Sequence, residues 1–153
     1  MILDIVEFDE EALRQETEEV EIPPSGEVKL LAAQMLATMD AADGLGLAAP
    51  QVNRSERLFV VNLWGKYHVF INPVIERFSK DVGTEEEACL SLPGVFAKVR
   101  RPKMVWITYY DAAGKLYESR KFKRRDARVI QHEMDHLDGK LIVDYVSDFE
   151  FGE

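Results

Sequence analysis

The sequence predicts an α+β fold in which antiparallel sheets pack around one central helix, and three observations carry that prediction. Runs of β-favouring residues come in pairs around short turn signals. A helix-period segment follows the last pair instead of alternating with the strands. The chain of 153 residues, 46% apolar and 31% charged, is long enough to bury a core and has the balance of an ordinary globular protein. No internal repeat or linker divides it, so residues 1–153 are expected to form a single domain.

Each element has its own signal. Residues 1–26 are acidic and read as irregular, ending in Pro23-Pro24-Ser25-Gly26, a turn able to open a helix. Over 27–42, Val28, Leu31, Met35, Met39 and Ala42 recur at helical spacing, and Asp43-Gly44 stops the run. Strands are expected over 57–63 and 67–71, around the hairpin turn Trp64-Gly65-Lys66, with a further strand over 74–78. A second hairpin is expected from 104–110 and 116–122, around Asp111-Ala112-Ala113-Gly114. The later helix should run from about 126 to 137, with Ala127, Ile130, Met134 and Leu137 on its apolar face. A short strand over 141–145 and an acidic tail complete the reading.

Charge and composition narrow the function. The net charge is −9, with nine acids and one base, Arg14, in residues 1–21. That balance argues against DNA and against general nucleic-acid binding. A basic run over 120–128 reads as a solvated face. No apolar stretch is long enough to span a bilayer, and the N-terminus lacks a signal pattern. The expected location is the cytoplasm, or an organelle matrix for a chain that has lost a transit segment. The lone Cys89 excludes an internal disulfide.

Chemistry concentrates in Gln131-His132-Glu133-Met134-Asp135-His136. Positions i and i+4 share one helix face, so His132 and His136 can reach one metal ion, with Glu133 beside them to handle a proton. A catalytic metal usually takes three protein ligands and keeps one position open. Cys89, in Glu87-Ala88-Cys89-Leu90-Ser91, is the best third candidate, since a thiolate with two imidazoles suits zinc or ferrous iron. The segment reads as a strand end entering a turn. Gly44-Leu45-Gly46-Leu47-Ala48-Ala49-Pro50-Gln51 is not a phosphate loop, because it lacks the Gly-Lys-Ser/Thr ending; its small residues allow close backbone approach, and Gln51 adds an amide donor.

Taken together and in this order, the three segments resemble the marks of the peptide deformylase family: Gly-x-Gly-x-Ala-Ala-x-Gln, Glu-Gly-Cys-Leu-Ser and Gln-His-Glu-x-Asp-His. The resemblance covers roughly residues 28–145. It implies a metal-dependent hydrolase that removes the N-formyl group from the N-terminal methionine of nascent peptides and releases formate. By similarity, Cys89, His132 and His136 hold the metal. Ferrous iron is the first expectation, with zinc, nickel and cobalt as substitutes. Glu133 shuttles the proton, while Gln51 and the Leu90 N–H stabilise the oxyanion. The peptide lies along Gly44, Leu45, Gly46, Glu87 and Ala88, and Arg125 and Val129 line the methionine side-chain pocket.

Three departures from the family pattern stand out. Ala88 replaces a glycine, Arg125 puts a guanidinium at an apolar pocket, and the stretch after the metal helix is short and acidic. Bacterial relatives often carry a basic C-terminal helix there that docks on ribosomes, so only weak ribosome association is expected. The competing readings are a related amide hydrolase with another acyl or side-chain preference, and a non-catalytic protein that binds peptide ends.

Overall fold

The computed structural model describes residues 1–145 and the backbone of 150 and 151. Its helices are α1 (Glu10–Leu13), α2 (Gly26–Ala41) and α3 (Arg124–Leu137). Its strands are β1 (Gly46–Ala48), β2 (Leu58–Leu63), β3 (Lys66–Phe78), β4 (Val82–Cys89), β5 (Leu92–Pro102), β6 (Met104–Tyr110), β7 (Leu116–Lys123) and β8 (Glu150–Phe151). Single 3-10 turns occupy Ala49–Val52 and Ile142–Tyr145. The strands form two sheets, β1-β2-β3-β6-β7 and β4-β5-β8, with every neighbouring pair antiparallel. This is the predicted α+β architecture.

The expected first long helix begins where its cap dictates. Ser25 Oγ accepts from the Val28 N–H at 3.2 Å, satisfying one of the donors that a helix start leaves free. Asp43 turns left-handed at φ 55°, and the Gly44 N–H donates to the Met39 carbonyl. Leu31, Met35 and Met39 then pack against Leu47, Val60 and Ile71 on one face of the large sheet. On the other face, Ala127, Ile130, Met134 and Leu137 of α3 close over Phe59, Phe70, Val105 and Tyr109. The large sheet is therefore buried on both sides near its centre, and α3 is held between it and the small sheet.

Several boundaries differ from expectation, each for a local reason. The strands expected at 67–71 and 74–78 are one strand, β3, whose register against β6 slips between Ile71 and Val74. Asn72 takes φ 50° there, and its side-chain amide exchanges hydrogen bonds of 2.7 Å with both the N–H and the carbonyl of Val20. Residues 1–26 are not wholly irregular, because α1 buries Ala12 and Leu13. The strand expected over 141–145 is a 3-10 turn. Asp144 Oδ2 accepts from the Leu141 N–H at 2.9 Å and also pairs with Arg14, which offers the backbone a partner outside any ladder. Helix α3 starts at Arg124, directly out of β7 and two residues earlier than expected. The expected acidic tail lies largely outside the described residues.

Strands β4 and β5 were visible in the sequence only as a strand end near Cys89. Of β4's side chains only Glu87 and Cys89 are deeply buried, so no apolar alternation marks it. In β5 the alternation is regular, but Arg101 occupies one of the inward places.

Candidate active site

The site sits between β1, an edge of the large sheet, β4, an edge of the small sheet, and the outer face of α3. A cavity of about 1200 Å³ opens there. Gly44, Leu45, Gly46, Gln51, Glu87, Ala88, Cys89, Leu90, Arg125, Val129, His132 and Glu133 all line it, so the structure brings twelve of the thirteen expected residues onto one surface. The thirteenth, His136, lies behind the wall, only 1% exposed.

Cys89 reaches the site through a slip in the β4–β5 register between Ala88 and Cys89. Cys89 shares the buried side of β4 with Glu87 by ordinary strand alternation, while Ala88 stays exposed on the cavity side. Cys89 Sγ stands 3.3 Å from His136 Nε2, and one donor atom from each of Cys89, His132 and His136 falls within 4.8 Å of the others. An ion bonded at about 2.3 Å to sulfur and about 2.0 Å to nitrogen separates its ligand atoms by roughly 3.5 Å. The spacing therefore fits a single ion. Burial holds His136 well below the ordinary imidazole range, in the neutral form a metal requires. His136 Nδ1 and Glu133 Oε1 are buried without a hydrogen-bond partner among the described residues, as groups awaiting a ligand or water would be.

Glu133 is 4% exposed, and burial pushes its carboxyl up to about 7. A side chain at position 46 would meet Glu133 Oε2 at 2.5 Å, so glycine is needed there for the carboxylate to face the cavity. Gln51 is fixed from both ends. Its Oε1 accepts from the Ala48 N–H at 2.9 Å, and its Nε2 donates to Ser91 Oγ at 3.2 Å while facing Cys89 Sγ at 3.7 Å. Ser91, wholly buried, is a supporting residue that sequence reasoning passed over.

Glu87 was expected beside the peptide, with a side chain that orients substrate or ligands; its carboxylate engages His132 and two arginines. It accepts from His132 Nδ1 at 3.0 Å, from Arg101 Nε at 2.6 Å and Nη2 at 2.9 Å, and from Arg128 Nη1 at 2.6 Å. Arg101 continues to Asp135 at 2.9 Å. These contacts fix the His132 tautomer and leave Nε2 facing Cys89 and His136, the usual arrangement around a metal-binding imidazole. In the sequence Arg128 is only one member of a basic run. Arg128 in fact ties α3 to β4 through Glu85, Glu87 and the Gly83 carbonyl.

Burial alone would raise the Glu87 carboxyl, but hydrogen bonds from His132 and Arg101 hold it down to about 2. Its unfolded value lies near 4.5, so the folded state binds its proton less tightly than the unfolded chain. The stabilisation is complete above pH 4.5 and disappears as pH falls through 2. In Glu87→Gln this part of the acid transition should flatten, and metal affinity should fall about 10–100-fold. Arg101→Ala, which removes the buried cation shared by Glu87 and Asp135, should destabilise the fold by about 3–5 kcal/mol in denaturant titrations.

A family model described as "Polypeptide deformylase" matches residues 2–151. The chain belongs to the peptide deformylase family. It is 48% identical over 125 residues to "Peptide deformylase 2" of Gloeobacter violaceus, an alignment covering 78% of this chain and 66% of that protein. It is 41% identical over 170 residues to the peptide deformylase of Salinibacter ruber, covering 97% and 83%. Among solved structures it is similar to a peptide deformylase from Synechococcus elongatus in complex with actinonin. The TM-score is 0.90 at 42% identity, covering 95% of this chain and 79% of that one. Membership makes the chain an enzyme, a hydrolase acting on the N-formyl group of an N-terminal methionine. No helix among the described residues is long and apolar enough to cross a membrane.

Proposed function

We propose that residues 1–153 act as one catalytic unit in the cytoplasm, with Cys89, His132 and His136 holding a ferrous ion, replaceable by zinc, nickel or cobalt. The observation that carries this reading is the convergence of those three donors beside a buried Glu133 at the wall of a single peptide-sized cavity. When bound, a divalent ion would supply a Lewis acid that polarises a carbonyl and brings the pKa of water far down, towards neutrality.

The chain's own groups do the rest. Glu133, poised near neutrality in the cavity, takes a proton from the attacking water and returns it to the departing amine. Gln51 Nε2, aimed by Ala48 and Ser91, and the Leu90 N–H donate to the oxygen that gains charge when the formyl carbon becomes tetrahedral. The peptide runs extended between the free edges of β1 and β4, past Gly44, Leu45, Gly46, Glu87 and Ala88, and adds a strand by main-chain hydrogen bonds. Its first side chain enters the pocket walled by Val129 and Arg125. Weak ribosome association belongs to the same reading.

The test is formate release from formyl-Met peptides by anaerobically prepared, iron-loaded protein. Wild-type protein that binds iron yet releases no formate would end the proposal. Gln51→Ala should lower kcat by about 10²–10³ with metal content unchanged, as loss of one oxyanion donor does.

A further inference from the structure

Position 64 is an unexpected place for a tryptophan. The β2–β3 hairpin turns through Trp64 and Gly65, both with positive φ (57° and 84°), and Asn62 Oδ1 accepts from the Gly65 N–H at 2.9 Å. Such primed turns favour asparagine, aspartate or glycine, and a bulky residue with positive φ is an outlier. Trp64 is also 71% exposed, so core packing does not explain it. An outlier of this kind points to a role beyond the turn itself.

The indole has one evident task. The guanidinium of Arg125 lies over its ring at 3.9 Å. Arg125, in the first turn of α3, lines the active-site cavity, and its Nε is buried without a hydrogen-bond partner among the described residues. Its neighbour on the helix face, Arg128, behaves differently, being held by Glu85, Glu87 and two backbone carbonyls. The Arg125 guanidinium is thus engaged by the Trp64 ring. An arginine held in this way can turn its long aliphatic stem to a cavity.

We propose that Trp64 is a positioning residue for substrate specificity: it clasps Arg125 so that the arginine stem, not its charge, forms one wall of the pocket for the peptide's first side chain. The inference rests on the functional reading above. It makes the hairpin turn part of the substrate site without any contact between Trp64 and the substrate.

Trp64→Asn is the informative variant, because asparagine suits the turn while removing the clasp. Its thermal midpoint should match or exceed that of the wild type. KM for a formyl-Met-Ala-Ser peptide should rise about three- to tenfold, the scale expected for loss of a partly desolvated cation–π contact, with kcat within about twofold. Trp64→Phe should keep most of the wild-type KM. In an Arg125→Ala background, Trp64→Asn should add nothing further, because the two residues act as one unit. An unchanged KM in Trp64→Asn overturns the clasp, as does a fall in kcat in its place or an undiminished effect in the Arg125→Ala background. A wild type that releases no formate from this peptide overturns the functional reading itself, and the clasp with it.

Discussion

Replacing Glu133 by glutamine should reduce formate release by about 10⁴-fold, the upper range for loss of a positioned acid–base group, while leaving metal content and the circular dichroism spectrum unchanged. The structure makes this substitution clean. Glutamine has the shape of glutamate, so it meets no new contact against Gly46, where Glu133 already sits close. Its helix neighbours keep their partners, and Glu87 still orients His132. What disappears is a carboxyl that burial has brought to about 7, able to accept a proton and give it back at neutral pH. If Glu133→Gln retained activity within tenfold of the wild type, another group would have to be the base.

The second large effect is loss of the metal. Cys89→Ala removes the one sulfur donor from a set whose remaining members, His132 and His136, make a poor site on their own. Metal analysis should find the purified variant largely empty, and formate release should fall to background. Chelator treatment of the wild type should give the same loss, reversed by adding ferrous ions under anaerobic conditions. Both losses should come with lower stability, since an ion bound only by the folded chain stabilises it by mass action. A Cys89→Ala protein that kept a full equivalent of metal would show that another residue completes the site.

Much of this was legible in the sequence because the chemistry uses rare residues at fixed spacings. Two of three histidines, the single cysteine and an Ala-Ala-x-Gln segment carry information that lysines and glutamates do not. The two long helices and both hairpins followed from apolar periodicity and turn residues. What stayed hidden is where charged groups take the place of core residues. Arg101 sits at an inward position of β5 with 3% exposure, and Glu87 holds the equivalent place in β4. Hydrophobic alternation cannot register either residue, so two strands that build half the cleft were missed. Arg128 looked like one base among many because its partners come from β4, some 40 positions earlier in the chain. Trp64 was placed in the hairpin turn, but no sequence signal joins it to Arg125, which stacks on its exposed ring from 61 positions later.

The two sheet edges that face each other across the cavity have one more implication. Edge strands ordinarily invite unwanted pairing with other chains. Here β1 is only three residues long and β4 carries the exposed acids Glu85 and Glu86, features that discourage a second copy from docking. An extended peptide end threaded between them can still satisfy both edges at once. In the binding mode proposed above, the same two strands would act as a sieve by shape, admitting a single unpaired terminus and refusing a folded partner. That selectivity suits a catalyst that must meet newly emerging chains among a crowd of finished proteins.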